Sequence, residues 1–288
     1  MRLLIFGLGY TSMYYARHHA LRNEVTATVT TAEKALASSQ AGIRTLVFCA
    51  PHADKGIAEA IACADAILVS IPPDETGDPT LLQFADAIAA SGTIQTIVYL
   101  STIGVYGDHA GAWVDEASAC KPSNPRSRCR VEAEAAWLAL GAQTGKAVHV
   151  LRLAGIYGPG QNALVNLGNG TARRIIKHGQ VFNRIHVEDI ARTIDACLHA
   201  PSGGVWNVCD NEPAPAEDVV EFAAKLLGVE PPPRIAFEKA QMSPMARSFY
   251  SECKRASNRA MRERLGVELA YPSYREALKA MRTQGDGP

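Results

Sequence analysis

The sequence lacks an excess of either charge: Lys plus Arg and Asp plus Glu number 29 each. With no global field, nucleic acid and anionic membrane surfaces are disfavoured partners, and a small neutral or mildly anionic molecule is the expected ligand. No apolar run reaches membrane-spanning length, and neither a repeat period nor a low-complexity tract appears. No charged leader followed by a long apolar segment opens the chain; Met-Arg-Leu-Leu-Ile-Phe-Gly reads instead as a buried strand entering a turn. The seven cysteines include no Cys-x-x-Cys spacing, and an odd, scattered set suits a reducing cytoplasm. A cytoplasmic location is therefore expected, with most cysteines acting as small buried hydrophobes. Because consecutive helix residues diverge by roughly 100°, the neighbouring His18 and His19 cannot easily share an ion, and no metal is assigned.

What the chain does contain is an alternation of short apolar runs with amphipathic segments. Leu3 to Phe6, Val25 to Val29, Thr45 to Cys49, Ala66 to Ile71, Ile97 to Leu100 and Val148 to Leu153 are mostly uninterrupted. That pattern suits parallel strands buried on both faces. Ser12 to Arg22, Gly56 to Cys63, Pro79 to Ala90 and Pro125 to Leu140 carry helical faces between them. The expectation is an α/β Rossmann fold, a doubly wound parallel sheet, over residues 1–160. After Gly158-Pro159-Gly160 the pattern turns to helices and loops, including Ala216 to Leu227 and Asn258 to Leu265. Residues 161–288 are expected to form a smaller α+β substrate domain, with about 184–200 returning to the first sheet.

Gly7-Leu8-Gly9-Tyr10-Thr11-Ser12 follows the first strand directly and opens a helix. Its glycines permit a tight bend and let backbone N–H groups approach a pyrophosphate at a helix N-terminus. Ser12 takes the place of a third glycine, and the Thr11 and Ser12 hydroxyls are candidate phosphate donors. At the end of the second strand no acid occupies the tip; Thr30, Thr31 and Lys34 can surround a 2′-phosphate, with Glu33 the alternative partner for an NAD ribose after a small register shift. NADP is therefore favoured over NAD.

Leu100-Ser101-Thr102-Ile103-Gly104-Val105-Tyr106-Gly107, Leu151-Arg152-Leu153-Ala154-Gly155-Ile156-Tyr157-Gly158-Pro159-Gly160, Arg184-Ile185-His186-Val187-Glu188-Asp189-Ile190-Ala191 and Gly204-Val205-Trp206-Asn207-Val208 occur in that order. Together they resemble the extended short-chain dehydrogenase/reductases, the NAD-dependent epimerase/dehydratase relatives. The resemblance implies a catalytic hydroxyl at Thr102. It also implies a Tyr-x-x-x-Lys pair after Pro125, where Arg126 and Arg130 stand instead. A phenol can exchange a proton with a substrate oxygen, whereas a guanidinium stays protonated and cannot. Arg130 can replace Lys as a ribose donor, and Arg126 can grip an anionic substrate group; the alternative is a solvated helix face on which Glu134 offsets Arg130.

Ser70, Ile71, Pro72, Ser101, Leu153 and Ala154 complete the expected cofactor cradle with Gly7, Gly9 and Tyr10, and Tyr106 and Tyr157 the expected substrate lining. A second Tyr-x-x-x-Lys, at Tyr250 and Lys254, lies beyond every matched motif and is read as chance. Ile103 and Gly104, where dehydratase relatives carry acids, disfavour dehydration. The reading is an atypical NAD(P)-dependent oxidoreductase or epimerase acting on a small hydroxyl or carbonyl compound. A non-catalytic NAD(P)-binding sensor is the alternative, and an empty structural Rossmann protein a third. By analogy with the family, a homodimer would pair through 79–90 and 125–140.

Overall fold

The computed structural model describes residues 1–40 and 42–287. Strand β1 (Arg2–Phe6) leads into α1 (Tyr10–His18), β2 (Glu24–Val29), α2 (Ala32–Gln40), β3 (Arg44–Cys49), the short β4 (His52–Ala53), α3 (Gly56–Cys63) and β5 (Ala66–Val69). Next come α4 (Pro79–Ala90), β6 (Thr96–Thr102), a single 3-10 turn (Ile103–Tyr106), β7 (Trp113–Val114), the long α5 (Pro125–Thr144) and β8 (Ala147–Leu153). All six apolar runs form strands. Helix α2 was not anticipated, because its Ala- and Ser-rich segment holds a single large apolar residue, Leu36.

The central sheet has the order β12-β8-β6-β5-β1-β2-β3-β4, where β12 is Gly204–Val208. Every pairing is parallel except the β3–β4 hairpin. The chain runs outward from β1 through β2 to β3, then crosses to β5 on the other side of β1, so the strand order reverses between β1 and β5. Such a switch point opens a crevice at the carboxyl ends of the strands. In β1 the side chains alternate: Leu3 and Ile5 enter one core layer, Leu4 and Phe6 the other. Burial on both faces is why the strand reads as a continuous apolar run rather than an alternating one.

The rest of the chain contains β9 (Gly155–Tyr157), α6 (Ala163–Gly168), β10 (Arg174–Ile176), β11 (Arg184–His186), α7 (Val187–His199), α8 (Ala216–Leu227), β13 (Arg234–Ala236), α9 (Pro244–Ser248), β14 (Arg255–Ala256), α10 (Arg259–Glu263) and α11 (Tyr274–Thr283). A separate core of Tyr157, Leu164, Ala223, Tyr274, Leu278 and Met281 sits among α6, α8 and α11. Of the expected return, α7 packs on α1 and β6, while β11 pairs with β9 outside the main sheet. Strand β12 adds a further return, so the central sheet draws one strand from the segment assigned on sequence to the smaller domain.

Candidate active site

The glycine turn is fastened on two sides. Gly7 N–H donates to Thr28 Oγ1 and Leu8 N–H to Thr28 O, both at 2.9 Å. Gly7 has φ +92°, and a Cβ there would stand 2.8 Å from Ile71 Cγ1 and 3.1 Å from Ile71 N. Only glycine combines that left-handed backbone with so close an approach of the β5 exit. Gly9 is different: it precedes α1 without a side-chain cap, and nothing lies within 4 Å of its Cβ position. The unpaired first N–H groups of α1 and open space beside them fit the pyrophosphate of a dinucleotide.

Ser12 and Tyr10 of this turn act differently from expectation. Ser12 is fully buried and its hydroxyl has no partner, so it packs helix against strand and cannot donate to a phosphate outside. Thr11 is also buried. Tyr10 turns its hydroxyl to Pro159 O at 3.1 Å, with burial and the charge of Asp286 pushing the phenol up to about 12. It ties the turn to the loop after β9, leaving its backbone for the cofactor.

Thr30, Thr31 and Lys34 do come together at the exposed end of β2, where Lys34 Nζ donates to Thr30 Oγ1 at 3.1 Å. Glu33 is exposed beside them, its carboxyl held below the usual range by the Thr31 hydroxyl. Ser70, Ile71 and Pro72 follow β5, half-buried or exposed, on the crevice side of Gly7. Leu153 ends β8 and Ala154 follows it, both with buried side chains, and Ala154 N–H is committed to Val208 O.

At the end of β6, Thr102 Oγ1 accepts from Gly104 N–H at 3.1 Å and so caps the following turn. Helix α5 starts cleanly because Asn124 caps it, accepting from Ser127 N–H, and Pro125 presets its first turn. Arg130 reaches from α5 to the end of β6, with Nη1 donating to Leu100 O at 2.6 Å and to Tyr99 Oη at 3.1 Å. Arg126 is exposed and has no hydrogen-bond partner among the described residues. The two arginines thus share a helix side but not a target. Sequence reasoning missed Ser127, whose Oγ lies 3.1 Å from the Cβ position of Gly104 and seats α5 on the turn after Thr102.

A buried polar network lies beneath these groups and takes Ser101, Glu134 and Tyr106 from the expected roles. Ser101 Oγ donates to Glu134 Oε1 at 2.5 Å, so its proton is not free for cofactor. Glu134 takes Nε and Nη2 of Arg152 at 3.1 and 2.8 Å, and therefore does not offset Arg130. Burial opposes the Arg152 charge, yet the hydrogen bond and charge of Glu134 outweigh it and raise its pKa. Arg152 Nη1 donates to Tyr106 Oη at 2.9 Å, and Tyr106 in turn donates to Asn207 Oδ1 at 2.7 Å. Tyr106 is fully buried and does not line the cleft. Tyr157 is likewise buried against His186, burial raising its phenol pKa. Tyr250 and Lys254 form no pair: Tyr250 packs on Phe182 and Phe237, while Lys254 is buried on Gly107 O and Glu252.

The strand order, the switch-point crevice and the glycine turn define a Rossmann protein of the dinucleotide-binding type. A sequence model of the NAD dependent epimerase/dehydratase family matches residues 80–209. Protein YeeZ of Escherichia coli K12 is 33% identical over 243 residues, covering 80% of this chain and 85% of YeeZ. The chain belongs to the NAD-dependent epimerase/dehydratase family. A functionally unknown conserved protein from Silicibacter pomeroyi DSS superposes with a TM-score of 0.88 at 43% identity, over 98% of both chains. The fold is shared, at a TM-score of 0.77 and 16% identity, with UDP-glucuronic acid 4-epimerase of Bacillus cereus in complex with NAD, over 98% of this chain and 96% of that one.

Proposed function

We propose that this chain is an atypical NAD(P)-dependent oxidoreductase or epimerase acting on a hydroxyl or carbonyl compound that carries an anionic group. One observation carries the reading: Arg130 is held at the end of β6, two residues from Thr102, at the position where the family resemblance expects a ribose-binding cation. Bound in the crevice, a nicotinamide dinucleotide would accept or supply the hydride. The N–H groups opening α1 would hold its pyrophosphate, Arg130 its nicotinamide ribose, and Thr30 with Lys34 a 2′-phosphate. The exposed end of β2 supports NADP over NAD, although Glu33 beside it offers an NAD ribose an acceptor.

Thr102 Oγ1 already accepts from Gly104 N–H, so its proton is free to donate to a substrate oxygen. Arg126, exposed on the first turn of α5, would pair with the substrate's anionic group. UDP-glucuronic acid and UDP-glucose, named with fold neighbours, are sensible first substrates beside simple carbonyl acids. The test mixes protein and carbonyl acids with NADPH or NADH, and protein and the UDP sugars with NADP or NAD, read by nicotinamide absorbance at about 340 nm. Epimerisation, which leaves the cofactor unchanged overall, is read by proton NMR of the sugar. Turnover supports the enzyme; tight cofactor binding with no turnover in any mixture overturns it.

A second reading, a non-catalytic dinucleotide sensor, is favoured by the burial of both Tyr106 and Tyr157, which leaves neither motif phenol to shuttle a proton. Reduction gained in Arg126→Tyr would mark a drifted enzyme instead.

A further inference from the structure

A cavity of about 390 Å³ lies between β9, α6, α8 and α11, and neither the glycine turn nor Thr102 is in its lining. Ile156, Val219 and Leu278 give it apolar walls, the Tyr157 and Tyr274 rings contribute flat ones, and Arg184 supplies a cation. Arg184 Nη1 donates to Phe182 O and Ala214 O, each at 3.0 Å. Its Nε and Nη2 have no hydrogen-bond partner, and no carboxylate comes within 4.0 Å, among the described residues. Those two nitrogens form the guanidinium edge that matches a carboxylate with parallel hydrogen bonds.

Among the described residues this cation has no carboxylate in an ion pair, and its Cζ lies 5.9 Å from the centroid of the Tyr274 ring. Desolvation by burial pulls the Arg184 guanidinium below its ordinary value, and Asp210 is the acid that acts on it most. Asp210 is itself buried, with Oδ2 unpartnered and the carboxyl pushed up to about 7 by burial. A partly buried cation beside an acid that resists ionising favours an external anion. At the rim, Asp286 accepts from Gly160 N–H at 3.2 Å and Asn162 Nδ2 at 2.7 Å. Its charge acts against a ligand carrying more than one negative charge.

We propose that this cavity binds a small monocarboxylate with an apolar body, its carboxylate on the Nε and Nη2 edge of Arg184 and its body against Ile156, Val219 and Leu278. The site is separate from the dinucleotide crevice and stands or falls independently of it. Titrating the full chain with benzoate and hexanoate, followed by saturation-transfer NMR and calorimetry, should give dissociation constants of about 1 mM, as ligands of this size allow. Inorganic phosphate should bind at least about tenfold more weakly. Arg184→Gln should weaken both acids by about tenfold or more. Val219→Trp should abolish binding by filling the space while leaving the guanidinium intact, and it decides the matter if Arg184→Gln does not fold. Absence of saturation transfer from both acids up to about 20 mM, or affinity unchanged in the folded variants, overturns the site. Phosphate binding as tightly as benzoate overturns the monocarboxylate assignment.

Discussion

Removing the Glu134 carboxylate should cost this protein a large part of its stability. The side chains of Glu134 and Arg152 are 5% and 8% exposed, and the carboxylate receives three nitrogen contacts from Arg152 as well as the Ser101 hydroxyl. Glu134→Ala leaves the guanidinium enclosed with, among the described residues, only Tyr106 as a hydrogen-bond partner, and stranding a buried charge in this way costs about 3–5 kcal/mol. For a chain of this size each kcal/mol lowers the melting temperature by about 2–4 °C, so melting should fall by about 6–20 °C. Urea unfolding read by circular dichroism should show the midpoint falling at constant m-value. Replacing both partners by apolar groups, as in Glu134→Leu with Arg152→Met, should recover most of the loss, because no unpaired charge remains. A Glu134→Ala loss below about 1 kcal/mol, the range of an exposed ion pair, would refute the reasoning. Ser101→Ala should leave cofactor affinity unchanged, since that hydroxyl faces Glu134.

Arg130→Ala should weaken NADP binding by about 10–100-fold in calorimetry through loss of charged hydrogen bonds, whereas Arg126→Ala should change it by less than about threefold. Gly7→Ala, forced into a left-handed φ against Ile71, should lose about 2–4 kcal/mol in urea unfolding and most dinucleotide affinity. Lys34→Glu should reduce NADP affinity at least about tenfold while sparing NAD, measured by fluorescence titration of the reduced forms. Asp210 gives a pH prediction: its folded pKa of about 7 lies above the ordinary 3.8, so its contribution is fully present below 3.8 and is lost as pH rises through 7. Asp210→Asn should therefore raise the melting temperature relative to the parent at pH 8 and not at pH 4.

The periodicity of six apolar runs was enough to place six of the eight central strands, and the spacing of Gly7 and Gly9 was enough to place the turn. Both are local properties: strand burial on two faces removes alternation, and a left-handed bend beside a close backbone needs glycine. Gly204–Val208 was legible as a motif, yet its seat beside β8 was not, because strand neighbours are set by long-range pairing. Ser101, Tyr106 and Tyr157 illustrate the same limit. Each is a polar group in a matched motif, and the sequence is silent on which way it faces.

By itself the sequence determined a doubly wound sheet, a dinucleotide turn, and arginines at 126 and 130 after Pro125. Tertiary structure alone decided that Arg130 anchors on β6 while Arg126 stays exposed, that Glu134 serves Arg152, and that Tyr106 closes a buried network. The physical reason is that a side chain's protonation, partner and reach depend on what other elements desolvate it. Those neighbours come from distant positions along the chain, 101 residues away for Tyr106 and Asn207 and 149 for Tyr10 and Pro159.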